Sequence, residues 1–453
     1  MILFQSTNGK APQVDLAGAL LSGQASDKGL FLPVELPRYP ASLLVRARDL
    51  AYPALAAEIL APYAEGVFPR DALDAICESA YDYEVPIERV VGRRHVLRLD
   101  RGPTASFKDF AARFMGRALG RLVRDRGTDL LILTATSGDT GSAVAHAFLG
   151  VPGIRVLVLF PRAEVSDRQR KQMTTLGDNV ATIAVEGKFD DCQALVKRAF
   201  ADPALSDLHL SSANSINIGR LLPQSVYYVY AASRLVDLEA GERIAFSVPS
   251  GNFGDLLGGV IAFRSGLPVA RFAVATNAND EVPRFLATGR YEKIDPSRVC
   301  ISNAMNVGHP SNLARLVTLY GGQMDEVGRL AAKPDMEALR RDFFATSVDD
   351  AETRETIRSA YAEHGVLLEP HGAVGWAGLA RLCAADPAAA ALVSVSLETA
   401  HPAKFPEEIR AITGVEPPLP PSLQGLDARA EKYGAMEMDY GAFKSHLEKE
   451  YRR

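Results

Sequence analysis

The stretch 102–116, GPTASFKDFAARFMG, places Lys108 just inside the first turn of an expected helix, after small hydroxyl residues and before bulky apolar ones. An amine beside Phe107, Ala111, Ala112 and Met115 has its pKa lowered and becomes a nucleophile near neutral pH, able to condense with an aldehyde. The same neighbours suit a lysine that only lays its stem along apolar surface, so the residue alone does not decide. Arg113, Arg117, Arg121 and Arg124 on the same helix read as a solvated basic stripe.

Three further stretches carry chemistry where an apolar strand runs out. LILTATSGDTGSA (131–143) ends in small residues that let backbone amides approach an anion at a helix N-terminus, and Asp139 is able to cap that helix. Taken alone, this is also the composition of an ordinary strand–helix turn. SVPSGNFGDLLGG (247–259) repeats the arrangement, with Gly251 and Gly254 freeing N–H groups to form an anion nest. SLETAHPAKF (396–405) leaves the hydroxyl of Thr399 at a strand end, followed by His401 and Lys404. A strand-end hydroxyl also satisfies loop backbone. Neither glycine turn is a dinucleotide fingerprint or a phosphate loop ending in Lys-Ser/Thr.

Elements that position these residues follow from periodicity. The first hundred residues read as mainly helical: LAGALLSG (16–23), LAAEILAPY (55–63) and PRDALDAICESAYD (69–82), the last with Asp71 placed as a cap, around a proline-punctuated loop at 29–40. From about residue 95 strands and helices alternate, at 95–100, 129–136, 154–161, 179–187, 243–250, 269–277 and 391–399 for the strands. This rhythm implies parallel sheets covered by helices, which hold ligands at their strands' carboxyl ends. PPLPP (417–421) and the charged tail read as a surface strap and a closing helix.

Composition narrows the classes. The chain has 453 residues, 47% hydrophobic and 23% charged, with a net charge of −5 that argues against a general nucleic-acid binder. Cys77, Cys192, Cys300 and Cys383 lie far apart without zinc or redox spacing, so reduced core thiols and no metal site are expected. The start MILFQSTNGK lacks a signal-peptide pattern and no apolar run approaches a membrane span, so no membrane association and a cytoplasmic location are expected.

In this order, the Ser-Phe-Lys-Asp helix start, the Ser-Gly-Asp-Thr-Gly turn, the Gly-Asn-Phe-Gly turn and the late threonine resemble the threonine synthase family of fold-type II pyridoxal-phosphate enzymes. SSANSINIGRLLPQ (211–224), ATNANDEVPRFLATG (275–289), SNAMNVGHPSN (302–312), EPHGAVGWAGL (369–379) and LETAHPAKF (397–405) are similar too, as is the start QSTNG…LAGALLSGQASDKGLFLPVELP. One departure is Ser-Thr-Asn-Gly at 6–9, where the family commonly has Ser-Thr-Arg-Gly.

The resemblance implies an α/β fold of the tryptophan synthase beta type, with two parallel-sheet domains and a mostly helical N-terminal domain. The expected division is 1–95 for the N-terminal domain, 96–127 with 206–453 for the large cofactor domain, and 128–205 for the small domain. Lys108 would hold pyridoxal 5'-phosphate in Schiff-base linkage and carry protons. Gly251, Asn252, Phe253, Gly254 and Asp255 would wrap its phosphate, and Thr399 would face the pyridine nitrogen. Ser137, Gly138, Asp139, Thr140 and Gly141 would grip the substrate carboxylate, with Asp139 turned away to cap its helix. Asn214, Ser215, Asn217 and Arg220, with Arg113 second, would hold a substrate phosphate.

The implied activity is that of a carbon–oxygen lyase converting O-phospho-L-homoserine and water to L-threonine and phosphate, the last step of threonine biosynthesis. Lys108 would remove the α- and then a β-proton, phosphate would leave the γ-carbon, and water would add at the β-carbon. A phospho-lyase giving 2-oxobutyrate from the same substrate and a non-catalytic binding protein of the same fold are the alternatives. The implied assembly is a monomer, with a dimer as alternative.

Overall fold

The computed structural model describes residues 1–136 and 138–452, the side chain of Asp190 excepted; Ser137 lies outside the described residues. Four helices, Leu16–Ser22, Ala41–Arg46, Tyr52–Ala64 and Arg70–Ala80, build the N-terminal region. The stretch expected as a loop at 29–40 contributes the strand Phe31–Pro33, which pairs antiparallel with Phe4–Ser6. Asp71 does not cap its helix: Pro69 holds that position, and the aspartate sits in the first turn, where its charge complements the helix dipole.

A six-stranded sheet runs in the order Phe343–Ser347, Val269–Thr276, Ile244–Pro249, Val393–Glu398, Arg94–Arg98, Ile87–Val91. All its pairings are parallel except the last. Its central strands Ile244–Pro249 and Val393–Glu398 are buried along their whole length, and their polar members are small serines except for Glu398 at the strand end. The edge strands Ile87–Val91 and Phe343–Ser347 escape sequence reading because they are only half covered and carry polar residues.

A five-stranded parallel sheet has the order Gly434–Glu437, Val180–Glu186, Ile154–Pro161, Leu130–Ala135, Leu210–Ser211. The sequence division assigns 206–453 wholly to the large unit, but Leu210–Ser211 and the C-terminal segment run with this second sheet. Phe443, Leu447 and Tyr451 of helix Tyr440–Tyr451 share a core with Leu131, Leu157 and Leu195, and Lys444 pairs with Asp202 at 2.8 Å. The chain therefore returns to close the smaller sheet after completing the larger one. The four cysteines are buried and free. Among the described residues no helix is long and apolar enough to cross a membrane.

Candidate active site

Carboxyl ends of strands from both sheets face one cavity of about 970 Å³. Lys108, Asp139, Thr140, Arg220, Thr399 and the turn from Gly251 to Asp255 all line it. Asn214, Ser215 and Asn8 line it as well.

Lys108 opens helix Lys108–Arg126 with its side chain 12% exposed and its Nζ 4.7 Å from the Phe107 ring centre. The loop before it is tied by Asp109, whose carboxylate accepts from the Thr104 N–H at 2.8 Å and hydroxyl at 2.6 Å. Two backbone bonds fasten this loop to the threonine strand end: Phe107 N–H to the Thr399 carbonyl at 2.9 Å, and His401 N–H to the Ala105 carbonyl at 3.0 Å. Residues almost three hundred positions apart thus meet by construction. Burial lowers the Lys108 pKa, against the pull of Asp139 and with help from Lys404 and Arg220.

The glycine turn follows strand Ile244–Pro249. The N–H groups of Gly251, Asn252, Phe253 and Gly254 donate to no acceptor among the described residues, and helix Gly254–Arg264 starts at once. Phe253 adopts the left-handed conformation (φ 62°), which bends the turn back on itself. A Cβ on Gly251 would lie 2.8 Å from Met305 Cα, so only glycine lets the 303–305 segment pack there. The Asn252 side chain is already occupied, donating to Ser215 Oγ at 2.5 Å and accepting from the Ser311 N–H at 2.8 Å. Open amides at a helix N-terminus are the donor set a phosphate dianion requires.

The other turn differs. The N–H groups of Gly138 and Gly141 both donate to Thr136 Oγ1, at 2.9 and 2.7 Å, and among the turn's described residues Asp139 and Thr140 line the cavity. Asp139 does not cap helix Asp139–Phe148. Its Oδ1 accepts from Lys404 Nζ at 2.7 Å and Gln169 Nε2 at 2.9 Å, and its Oδ2 lies 3.6 Å from Lys108 Nζ. The expectation that it turns away is corrected: burial would raise this carboxyl, but Lys404 and Lys108 hold it far below the usual carboxylate range. Lys404, fully buried, also donates to the Thr104 carbonyl at 3.0 Å. His401 instead caps the short turn Pro402–Lys404 through Nδ1, and burial pushes its pKa down to about 3.

Thr399 directs its hydroxyl to Glu369 Oε1 at 3.4 Å. Glu369 caps helix Pro370–Ala385, accepting from the Gly372 and His371 N–H groups, and also meets His371 Nδ1 at 2.5 Å. Sequence reasoning quoted EPHG without giving Glu369 or His371 a role.

Arg220 is 2% exposed; Nη1 donates to the Ala213 carbonyl at 2.6 Å and Nε has no partner among the described residues. Among the described residues no carboxylate lies within ion-pair reach of it, and burial pulls its pKa down to about 10. Asn217 is absent from the cavity wall; it holds the turn, bonding the Leu20 and Ser212 carbonyls and the Gly219 N–H. Arg113 does not reach the cavity either: it is buried against the N-terminal helices, bonding the Ala80 and Ser79 carbonyls and pairing with Asp82 at 2.8 Å. The basic stripe is thus solvated only toward the helix's C-terminal end.

A buried amine of lowered pKa beside a nest of open amides fits an aldehyde-bearing phosphate, and the pyridoxal-phosphate dependent enzyme family matches residues 91–398. The chain belongs to that family, with its fold-type II architecture. The threonine synthase N-terminus and C-terminal families match residues 3–81 and 372–447. The threonine synthase of Serratia marcescens is 41% identical over 415 residues, 91% of each chain. Pyridoxal-phosphate-bound threonine synthase from Brucella melitensis superposes with a TM-score of 0.92 at 35% identity, covering 100% of both chains. The Escherichia coli enzyme superposes at 0.88 and 37% identity, covering 99% of this chain and 100% of that one. Within the pyridoxal-phosphate enzymes, this chain belongs to the threonine synthases.

Proposed function

We propose that the chain converts O-phospho-L-homoserine and water to L-threonine and phosphate, with Lys108 as both cofactor anchor and proton carrier. The observation that carries this reading is Arg220: a buried guanidinium without a carboxylate partner among the described residues, lining the cavity of Lys108 in addition to the glycine turn. A second anion site is what a phosphorylated amino acid needs and an unphosphorylated one does not.

The open amides of Gly251 to Gly254 would hold the cofactor phosphate, and Thr399, on the same cavity wall, would face the ring nitrogen. When bound, pyridoxal phosphate supplies an electron sink for negative charge developing next to the amino acid's α-carbon. Lys108 Nζ, available as a free amine because burial lowers its pKa, takes the α-proton and passes it on to the electron sink before taking a β-proton; it returns a proton to the γ-carbon after phosphate departs, and the α-carbon regains its proton once water has added. Arg220, with the Asn214 and Ser215 side chains beside it on the cavity wall, receives the leaving phosphate. Asp139, neutralised by Lys404, orients the amine from 3.6 Å, and Thr140 takes the substrate carboxylate. Water then adds at the β-carbon. The reading also takes the enzyme as a cytoplasmic monomer, the assembly resting on family resemblance alone.

The test is incubation of the holoenzyme with O-phospho-L-homoserine. Equal amounts of phosphate and threonine are expected. Phosphate with 2-oxobutyrate and ammonia, or no phosphate, overturns the reading.

A further inference from the structure

Thr399 is a neutral hydroxyl, and a hydroxyl facing a pyridine nitrogen can work in either direction. It donates to the nitrogen of a free-base ring, or accepts from the N–H of a pyridinium. Which it does is decided by where its own proton goes.

Glu369 settles that direction from behind. Its Oε2 accepts from the His371 N–H at 2.8 Å and from His371 Nδ1 at 2.5 Å. The ring's other nitrogen, Nε2, accepts from the Ala304 N–H at 3.0 Å, so the imidazole proton belongs on Nδ1 and points at the carboxylate. Oε1 accepts from the Gly372 N–H at 2.9 Å and faces the Thr399 hydroxyl at 3.4 Å. Every other neighbour is a donor, at a helix N-terminus, so the carboxylate is fully used as an acceptor and has no place for a proton of its own. Three side chains of this row are buried: Glu369 is 0%, His371 3% and Thr399 5% exposed.

Neighbouring charges agree. Glu398, adjacent in space, accepts the Glu369 N–H at 2.8 Å. Burial pushes the Glu398 carboxyl well up, with Arg98 pulling the other way and Glu369 adding to the rise. On the cavity side, Lys108, Lys404 and Asp139 complete the charged surroundings.

We infer that Glu369, acting through the Thr399 hydroxyl, holds the ring nitrogen of the bound cofactor in its protonated form. The hydroxyl gives its hydrogen to Glu369 and turns a lone pair toward the ring, so the nitrogen must supply the N–H. No proton is transferred on balance. Glu369 is a positioning residue here, two hydrogen bonds from the ring, and the effect is to strengthen the electron sink that a lone hydroxyl would leave weak. The inference rests on the reading that Thr399 faces the ring nitrogen.

The experiment is ¹⁵N NMR of the holoenzyme reconstituted with pyridoxal phosphate labelled at the ring nitrogen. The native enzyme should show a resonance in the pyridinium range, with one-bond coupling to a proton; a free-base resonance overturns the inference without any variant. In Glu369→Gln the amide oxygen keeps the two His371 donors and the NH₂ group faces Thr399. The hydroxyl must then donate to the ring, so the resonance should move downfield to the free-base range and lose its coupling. Thr399→Val should move it too, and Thr399→Ser should not. A resonance moved by Thr399→Val but not by Glu369→Gln overturns the relay alone. One moved by neither shows that Thr399 does not face the ring nitrogen, and removes both readings.

Discussion

Two turns with nearly the same sequence character have opposite internal chemistry. Both follow a buried strand, both are rich in glycine and small polar residues, and both open a helix. The turn at Gly251–Gly254 keeps its N–H groups open and its Asn252 side chain fastened to Ser215 and Ser311. The turn at Gly138–Gly141 spends two amides on Thr136 and presents a carboxylate instead, held by Lys404 and aimed near Lys108. One is a nest for an anion; the other carries its own. The difference lies in residues outside both turns, Thr136 and Lys404, which is why composition alone does not tell the turns apart.

Lys108 is what both turns serve, so its loss has the largest effect. Lys108→Ala should abolish the visible absorbance of the cofactor linkage and reduce turnover by several orders of magnitude, as loss of a covalent anchor and proton carrier does. Surviving colour and turnover would separate the two turns from the chemistry altogether. The charged turn is broken by Lys404→Met, which strands the buried Asp139 carboxylate. Removing one partner of such a pair costs about 3–5 kcal/mol, to be read in thermal unfolding. Asp139→Asn in the same chain should restore most of it, as a double-mutant cycle measures. In any Lys404→Met protein that folds, the Lys108 transition should move to higher pH. Lys404 is one of the charges lowering Lys108, and its removal leaves Asp139 unneutralised.

Most of the fold was readable before the structure, because largely apolar runs such as IRVLVLFP and RIAFSVPS suit strands of a doubly covered sheet. The resemblance carried Lys108, the glycine turn and Thr399 to one cavity, where the structure puts them. Arg113 and Asn217 failed for a common reason: a polar side chain reads the same whether it meets a ligand or a carbonyl from a distant helix. Lys404 and Glu369 were missed for the complementary reason. Each acts through a partner far away in sequence, Asp139 and Thr399, and no local spacing records a contact of that kind.

A smaller effect is expected at the substrate side of the comparison. If Arg220 receives the leaving phosphate, Arg220→Ala should raise the KM for O-phospho-L-homoserine by about thirtyfold or more, equivalent to roughly 2 kcal/mol. Cofactor affinity, which belongs to the glycine turn, should hardly change. An unchanged KM places the phosphate elsewhere; a parallel loss of cofactor merges the two anion sites into one.

An effect of similar size, read through its pH dependence, compares the acids of the two turns directly. Asp255, next to Gly254, accepts both the Tyr227 and Tyr228 hydroxyls on Oδ1, at 2.5 and 2.9 Å, while Oδ2 is buried without a partner. Burial pushes its pKa up to about 6 despite those two donors. A carboxyl raised in the folded state contributes stability that is complete below about pH 4 and is lost as pH rises through about 6. Asp139 has the opposite sign: held low, its contribution is present above the ordinary carboxylate range and lost only as pH falls below it. In thermal unfolding of the cofactor-free enzyme from about pH 4 to 7, Asp255→Asn should therefore gain on the native protein as pH rises, by at most about 2–3 kcal/mol. Asp139→Asn should show a deficit with little pH dependence across the same range. Parallel profiles for the two substitutions would mean that the turns hold their acids alike, and the contrast between an open nest and a self-neutralised turn would fail.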